Sequence, residues 1–540
     1  MPIPASAIGA GLILLAACLF SSACAYRFLS GQRAATGAGW RCRLLAGCGV
    51  GTLVFGCRLF LADGNVSWAP YLDQWNAEIS GLVAPLAHGR LGLGDLLAAN
   101  NEHRVVLTRI VSLAAVAVNG GWDNRVMAIA TYLLQSAAVA WICLLAWTFL
   151  GWARGSVVAS AALLPMLLVC DWENIVSGFQ DQFAIMVLGS VVAFSLPAGG
   201  PLRSPASWAP LLLAAVMLGS MASGFFTALA MAGTGLVTVL SGRRSWRSSA
   251  WYLGACTVVA AIGWLTRHPF PPVPSLYAQG LGAWMSAFLA YASWPLPPGA
   301  LSFIALWLPW CALLLRTLRR REEAPLAPFV ISLGFWVLLQ AGALAWARAS
   351  LSGLVGSRYT DVLAWGFVAN AAAVVVALPR ATTAGRMRIL LILAVAAWLG
   401  VVGASEVWRS RTIYRPYFEG FRRQTLEHER RLEAFTSTGD AGAISGVEFP
   451  HIPGTADEIL SLLRDTKVRA LLSGPLRGGI VGERGPSATA SAGDGPLSFA
   501  AVHAMRNGPW FALAGVAMLA AAAVRARRNP PEERLTAGRP

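Results

Sequence analysis

The sequence predicts an all-α polytopic membrane protein with about thirteen transmembrane helices, a large first outer loop and a small C-terminal outer-face segment. Three observations carry this. Apolar runs of roughly 15 to 25 residues recur from end to end, and a helix needs roughly 20 apolar residues to cross the hydrocarbon. Only 13% of the residues are charged, against about 25% in soluble chains. The arginines gather in short loops between the runs, the distribution that sets membrane orientation.

The spans fall near 8–29, 44–62, 126–150, 156–169, 183–196, 209–222, 226–241, 250–265, 300–315, 327–346, 362–378, 389–404 and 509–524. No basic residue precedes the 8–29 run, so it reads as a retained helix rather than a cleaved signal peptide. Placing the Arg-bearing loops inside puts the N-terminus outside and the C-terminus in the cytoplasm. All of the 26 acids except Glu322, Glu323, Glu532 and Glu533 then face outward. Orientation rules do not require that, because acids contribute little to them. A working outer face explains it.

The chain divides accordingly. Residues 1–62 hold two helices, 63–125 form an outer loop with interfacial helices, and 126–404 form the main bundle. Residues 405–508 make a second outer segment, and 509–540 a final helix with a basic cytoplasmic tail. Within 405–508, Tyr417 to Phe435 is amphipathic, and Thr455 to Glu458 forms a Thr-x-x-Glu capping box before an apolar run. After Gly474 the composition turns to Gly, Ser and Pro, which predicts a loose segment.

Nine cysteines lie in or beside apolar spans, so neither a disulfide framework nor a Cys-based metal site is implied. The net charge of +16 comes almost entirely from arginine in inter-span loops. That placement reports orientation and argues against nucleic acid as a partner. No Walker, dinucleotide, zinc or serine-hydrolase motif stands in a supporting context.

Candidate chemistry concentrates in four places. In the first outer loop Asp73 stands among Trp68, Tyr71 and Trp75, aromatics suited to the membrane–water interface. It is either a solvated loop acid or a base able to take a hydroxyl proton. Glu78 is a supporting or solvated acid. Glu102, His103 and Arg104 precede an apolar run, Val105 to Val118, too short to cross. His103 either orients a phosphate or caps a half-inserted helix, while Arg104 and Arg109 suit phosphate oxygens. Asp171, Glu173, Asn174 and Gln180 crowd a short turn, where acids at i and i+2 either bind a divalent cation, shape a substrate or simply end a helix in water. Arg348, Arg358 and Tyr359 lie in the outer 347–361 turn, against the positive-inside trend, and Arg267-His268 before Pro269 is a candidate of the same kind; they either grip a phosphate or snorkel as packing residues.

With these residues in view, the layout over roughly 44–400 resembles the GT-C class of membrane glycosyltransferases. Asp73 stands where that class places its first-loop acid. Glu102-His103-Arg104-Val105-Val106-Leu107 is similar to the segment often reading His-Pro-Pro-Leu. Asn119-Gly120-Gly121-Trp122-Asp123-Asn124-Arg125 is similar to the Phe-Gly…Arg turn opening the next span, and Asp171-Trp172-Glu173-Asn174 occupies the second acidic turn. The chain departs from the class in its extra N-terminal span, in lacking an Asp-Glu doublet, and in carrying Arg104-Val105 in place of Pro-Pro.

The resemblance implies a lipid-linked donor, a polyprenyl-phosphate sugar, and a glycan or lipid acceptor of the envelope at the outer face of a bacterial inner (plasma) membrane. It implies Asp73, Asp171 and Glu173 as catalytic. Trp75, Glu78, Glu102, His103, Arg104, Arg109, Asn174, Gln180, Arg358 and Tyr359 would contact substrate, and a divalent cation is optional. The rival is a transporter or flippase of lipid-linked or envelope substrates. Such proteins carry ionisable groups in mid-membrane, whereas the polar span residues read here are chiefly Gln135, Gln340 and Asn370.

Overall fold

The structure, a computed structural model, describes residues 39–196, 204–268, 275–319, 324–377, 385–444, 456–473, 476–477 and 495–528. Among these the chain is helical, with only isolated bridges, Asn100 to His103 and Trp122 to Leu472, and no strand. The helices are α1 (Trp40–Ala62), α2 (Val106–Asn119), α3 (Asn124–Met166), α4 (Asp181–Ser195), α5 (Pro205–Met217), α6 (Phe226–Leu240), α7 (Trp246–Leu265) and α8 (Leu281–Ala292). They continue with α9 (Ala300–Arg319), α10 (Ala327–Ala347), α11 (Ser357–Ala377), α12 (Gly385–Arg409), α13 (Arg415–Thr438), α14 (Ala456–Arg464), α15 (Pro496–Arg506) and α16 (Gly508–Arg528).

Ten helices among the described residues are long and apolar enough to cross a membrane. The expected thirteen differ for physical reasons. The 8–29 run lies outside the described residues. The expected 126–150 and 156–169 spans are the two arms of α3, which folds back at Gly151, where φ is +76° and ψ 175°. A β-carbon on Gly155 would lie 2.8 Å from the Trp147 backbone nitrogen, so the arms run side by side. The Trp147 indole donates to Ser156 Oγ across the turn at 3.2 Å. The expected 209–222 span is α5, only 13 residues long and short of crossing length. The half-inserted apolar run of the first loop is α2, an amphipathic helix of 14 residues.

The first and last described helices close the molecule. α1 and α16 pack antiparallel through glycines seven residues apart, Gly49 and Gly56 against Gly508 and Gly515. A β-carbon on Gly56 would sit 2.2 Å from the Ala512 nitrogen, and one on Gly508 would sit 2.5 Å from the Phe60 nitrogen. Lipid supplies no hydrophobic drive between helices, so such backbone approach provides the van der Waals contact instead. The antiparallel register brings Arg41 and Arg43 to the same end as Arg525.

The 405 boundary falls inside a continuous rod. α12 passes through a π-helical stretch, Ser410–Tyr414, straight into α13, so a membrane helix continues without a break to the face that carries the 63–125 loop, the one expected to be outer. There it meets the first loop. Trp68, Trp75, Ile79 and Leu82 share one core with Leu432, Phe435, Ile459, Leu463 and Leu472. Each large apolar side chain buried in this way contributes about 1.5–3 kcal/mol. The two outer pieces therefore form one lobe, tied further by Ser67 Oγ donating to Glu429 Oε1 at 2.7 Å. The Thr455 capping box lies outside the described residues, as does 478–494, but Pro496–Arg506 of the segment read as loose is helical.

Gly56→Leu is expected to force α1 from α16 and lower the melting temperature of the purified protein by several degrees. Phe60→Leu on the exposed side of α1 should change it little. Equal melting of the two variants would reject this packing as a source of stability.

Candidate functional site

The ends of α4, α6, α7, α10 and α11 on the side of the 63–125 loop, the expected outer side, enclose a cavity of about 460 Å³. Its polar wall carries Glu102, His103, Arg267, His268, Arg348 and Tyr359. Phe183, Phe225, Trp264, Tyr277 and Trp346 supply apolar walls. Trp264 and Trp346 are 55% and 56% exposed, so the cavity opens beside aromatic rings that face out of the helix bundle. The Arg267 guanidinium lies over the Trp264 ring, 3.8 Å from its centroid, a cation–π contact.

Local chain geometry builds the polar wall. The Asn100–His103 backbone closes a tight turn, with mutual hydrogen bonds of 2.8 and 2.9 Å, and Asn101 takes a positive φ of 53°. This aims Glu102 and His103 inward. Glu102 Oε1 receives Arg348 Nη2 at 3.0 Å. His103 Nδ1 accepts the Ala222 amide at 3.2 Å, which requires an unprotonated nitrogen there. Burial pushes the His103 imidazole below the usual histidine range, against the opposing pull of Glu102 and Asp73.

Beside this wall stand Asp73, Tyr71 and Arg358. Asp73 is close enough to His103 and Arg358 for its charge to act on both. Its half-buried carboxylate makes no hydrogen bond or ion pair among the described residues, although its backbone carbonyl accepts the Ala77 amide at 2.7 Å. The Arg358 guanidinium is likewise without a carboxylate partner and lies 5.5 Å from the Tyr359 ring centroid. Burial, with Glu173 and Asp73 nearby, pushes the Tyr71 hydroxyl up, so it stays protonated at neutral pH.

Asp171, Asp361 and Glu173 are committed to neighbours. Asp171 receives Arg58 in bidentate geometry, Nη1 to Oδ1 at 2.9 Å and Nη2 to Oδ2 at 2.8 Å, with both side chains buried. Asp361 accepts from Gln135 at 2.9 Å and from Asn174 at 3.4 Å. Glu173 Oε2 accepts the Ser357 hydroxyl at 2.6 Å and the Arg358 amide at 3.1 Å, capping the start of α11. Asp171 and Glu173 thus turn to different partners, and no group of three or more His, Cys, Asp or Glu among the described residues is placed to hold a metal ion.

The remaining sequence candidates lie away from the cavity. Glu78 is fully buried, with Ser112 and the Trp122 indole donating to Oε1, and burial pushes its carboxyl up. Trp75 is packed in the outer-lobe core, edge-on to His428. Arg109 is buried and donates to the Ala77, Leu96 and Ala98 carbonyls. Arg104 donates to the Thr266 and Leu97 carbonyls at 2.9 and 2.7 Å, holding the first loop on the end of α7. Asn174 and Gln180 are buried, each with an amide oxygen that finds no partner among the described residues. Of the sequence candidates, Glu102, His103, Arg267, His268, Arg348 and Tyr359 line the cavity, and Asp73 and Arg358 stand beside it.

Sequence reading missed two organising residues. Arg58 sits four residues from the end of an apolar span, and an ionisable residue inside a span is itself a functional hypothesis. Asn124 was read only as part of a turn. Its Nδ2 donates to the Ser67 and Val176 carbonyls, both at 3.0 Å, and its Oδ1 accepts from Gln74 at 2.9 Å and Gly178 at 2.8 Å. One side chain thereby joins the first loop to the second acidic turn. No protein-family model and no curated protein matches this chain.

Two measurements follow from this geometry. Arg58→Ala and Asp171→Ala should each destabilise the protein by about 3–5 kcal/mol, because each leaves a buried charge unpaired. The double variant should cost far less than the sum, and additive melting losses would show that the pair is not coupled. Because His103 is held neutral, its stabilising contribution is fully present above the ordinary value of about 6.5 and is lost as pH falls below it. Protection of the Ala222 amide, corrected for intrinsic exchange, should therefore decline from pH 7 to pH 5 in the wild type but not in His103→Ala. Constant protection in the wild type would refute that role.

Proposed function

We propose that the protein is a membrane glycosyltransferase that moves a sugar from a polyprenyl-phosphate carrier to an envelope glycan or lipid on the outer face of a bacterial inner membrane. The observation that carries this reading is the juxtaposition, among the described residues, of an uncommitted carboxylate, Asp73, and a guanidinium without a carboxylate partner, Arg358, beside a cavity opening next to exposed tryptophans. Around them Glu102, Asp171, Glu173 and Asp361 are engaged by neighbours. Asp73 therefore keeps lone pairs for a reacting proton, and Arg358 keeps donors for a phosphate.

In this reading Asp73 takes the proton of an acceptor hydroxyl as its oxygen attacks the anomeric carbon of the donor sugar. The bond from that carbon to the phosphate oxygen breaks, and the carrier phosphate leaves with the electron pair. Arg358 holds the phosphate as its charge grows, and Arg348 and Arg267 raise the local positive potential. The aromatic walls receive the first isoprene units. His103, being neutral, accepts from Ala222 and keeps the Glu102 turn in place. Donors of this class suit a membrane fold, because the activated sugar arrives in the bilayer and its phosphate stays at the interface.

The test is transfer by the purified full-length protein from a panel of polyprenyl-phosphate sugars, with donors and surface glycans compared in a deletion strain. Asp73→Asn should lower the transfer rate by about 10²–10⁴-fold at normal abundance, the range a general base contributes. Arg358→Gln should chiefly weaken donor use. Wild-type transfer by Asp73→Asn, or an unchanged set of envelope glycans in the deletion strain, would reject the reading.

A further inference from the structure

A second cavity, of about 410 Å³, lies at the opposite ends of the helices that build the first. The outer cavity uses the beginnings of α4, α6 and α11 and the ends of α7 and α10. The second uses the ends of α4 and α6 and the beginnings of α7 and α10. It therefore belongs to the other membrane face, the face of the Arg243, Arg244 and Arg247 loop.

Its lining joins two chemistries. Arg243 and Arg244 stand at the 241–245 turn, where Arg243 Nη2 also donates to the Thr317 carbonyl at 2.9 Å. Ser249, in the first turns of α7, is only 3% exposed, and its hydroxyl has no hydrogen-bond partner among the described residues. A buried hydroxyl left unmatched costs free energy, so a guest that supplies an acceptor there gains by filling the site. Further along the wall Thr234 Oγ1 and Ser332 Oγ satisfy each other at 2.7 Å. Phe149, Phe194, Met231 and Phe329 add apolar surface.

We propose that this cavity binds an anionic phospholipid, with the phosphate at Arg243, Arg244 and the Ser249 hydroxyl and an acyl chain against the apolar wall. A free phosphate would meet the arginines but leave that wall wet. A neutral lipid would cover the wall but forgo the arginines. Basic pockets between membrane helices recognise such headgroups, and the arginine-rich face is where anionic lipids gather. The site is independent of sugar transfer, because it shares helices with the outer cavity but no side chains.

The test uses the full-length protein in phosphatidylcholine nanodiscs containing a small fraction of phosphatidylglycerol, with retained lipid read by native mass spectrometry. Phosphatidylglycerol should be enriched on the wild type, and inorganic phosphate should not displace it. Arg243→Gln with Arg244→Gln, and separately Ser249→Leu, which fills the cavity, should each lower retention about tenfold or more, the scale of lost charge-assisted hydrogen bonds. Arg244→Gln alone, at an exposed position, decides the matter if the other variants fold poorly. Equal retention of the two lipids, displacement by inorganic phosphate, preference for added polyprenyl phosphate over phosphatidylglycerol, or unchanged retention in folded variants would each overturn the proposal. None of these readouts depends on transferase activity.

Discussion

The structure depends on the buried ion pair of Arg58 and Asp171. Neither charge could remain so deep alone, because taking an ion out of water costs several kcal/mol even after relaxation. Their mutual bidentate contact offsets that cost and begins a network through four elements, α1, the second acidic turn, α3 and α11. Arg58 comes from α1, Asp171 from the second acidic turn, and Gln135 links Asp171 to Asp361 on α11. Asp361 adds a second carboxylate beside the same guanidinium. The turn carrying Glu173 is thereby held against the start of α11, where Glu173 caps Ser357 and the Arg358 amide. The position of Arg358, and with it the edge of the outer cavity, follows from a charge pair that does not touch the cavity.

Charged groups near the outer face thus divide by commitment. Asp171, Glu173, Glu78, Arg104 and Arg109 spend their hydrogen-bonding capacity on the protein. Among the described residues Asp73 does not, and the Arg358 guanidinium lies by the Tyr359 ring with no carboxylate paired to it. The first group fixes shape, and the second leaves charge available. A composition count treats both alike, although their physical consequences are opposite.

Much of the fold was legible because lipid imposes a simple rule: backbone groups must pair within a helix, so spans appear as long apolar runs. The first-loop half-helix and the paired spans around Gly151 were readable for that reason. Arg58 was also readable in principle, as a charge within an apolar run. The outer-lobe core was not readable. Trp75 and Leu82 meet Leu432 and Leu463 only after the chain has crossed the bilayer many times, and local periodicity carries no trace of such a pairing. The commitment of each acid was equally hidden, since Asp73 and Asp171 look alike until their partners are placed.

The outer cavity opens between Trp264 and Trp346, and both rings face out of the bundle. The lipid-linked donor proposed above would enter there in the plane of the bilayer rather than through bulk water. Its encounter rate is then set by two-dimensional diffusion, and its saturation by surface density. For such a site, adding empty lipid at a constant amount of protein and guest acts as dilution, even when the volume of the sample does not change.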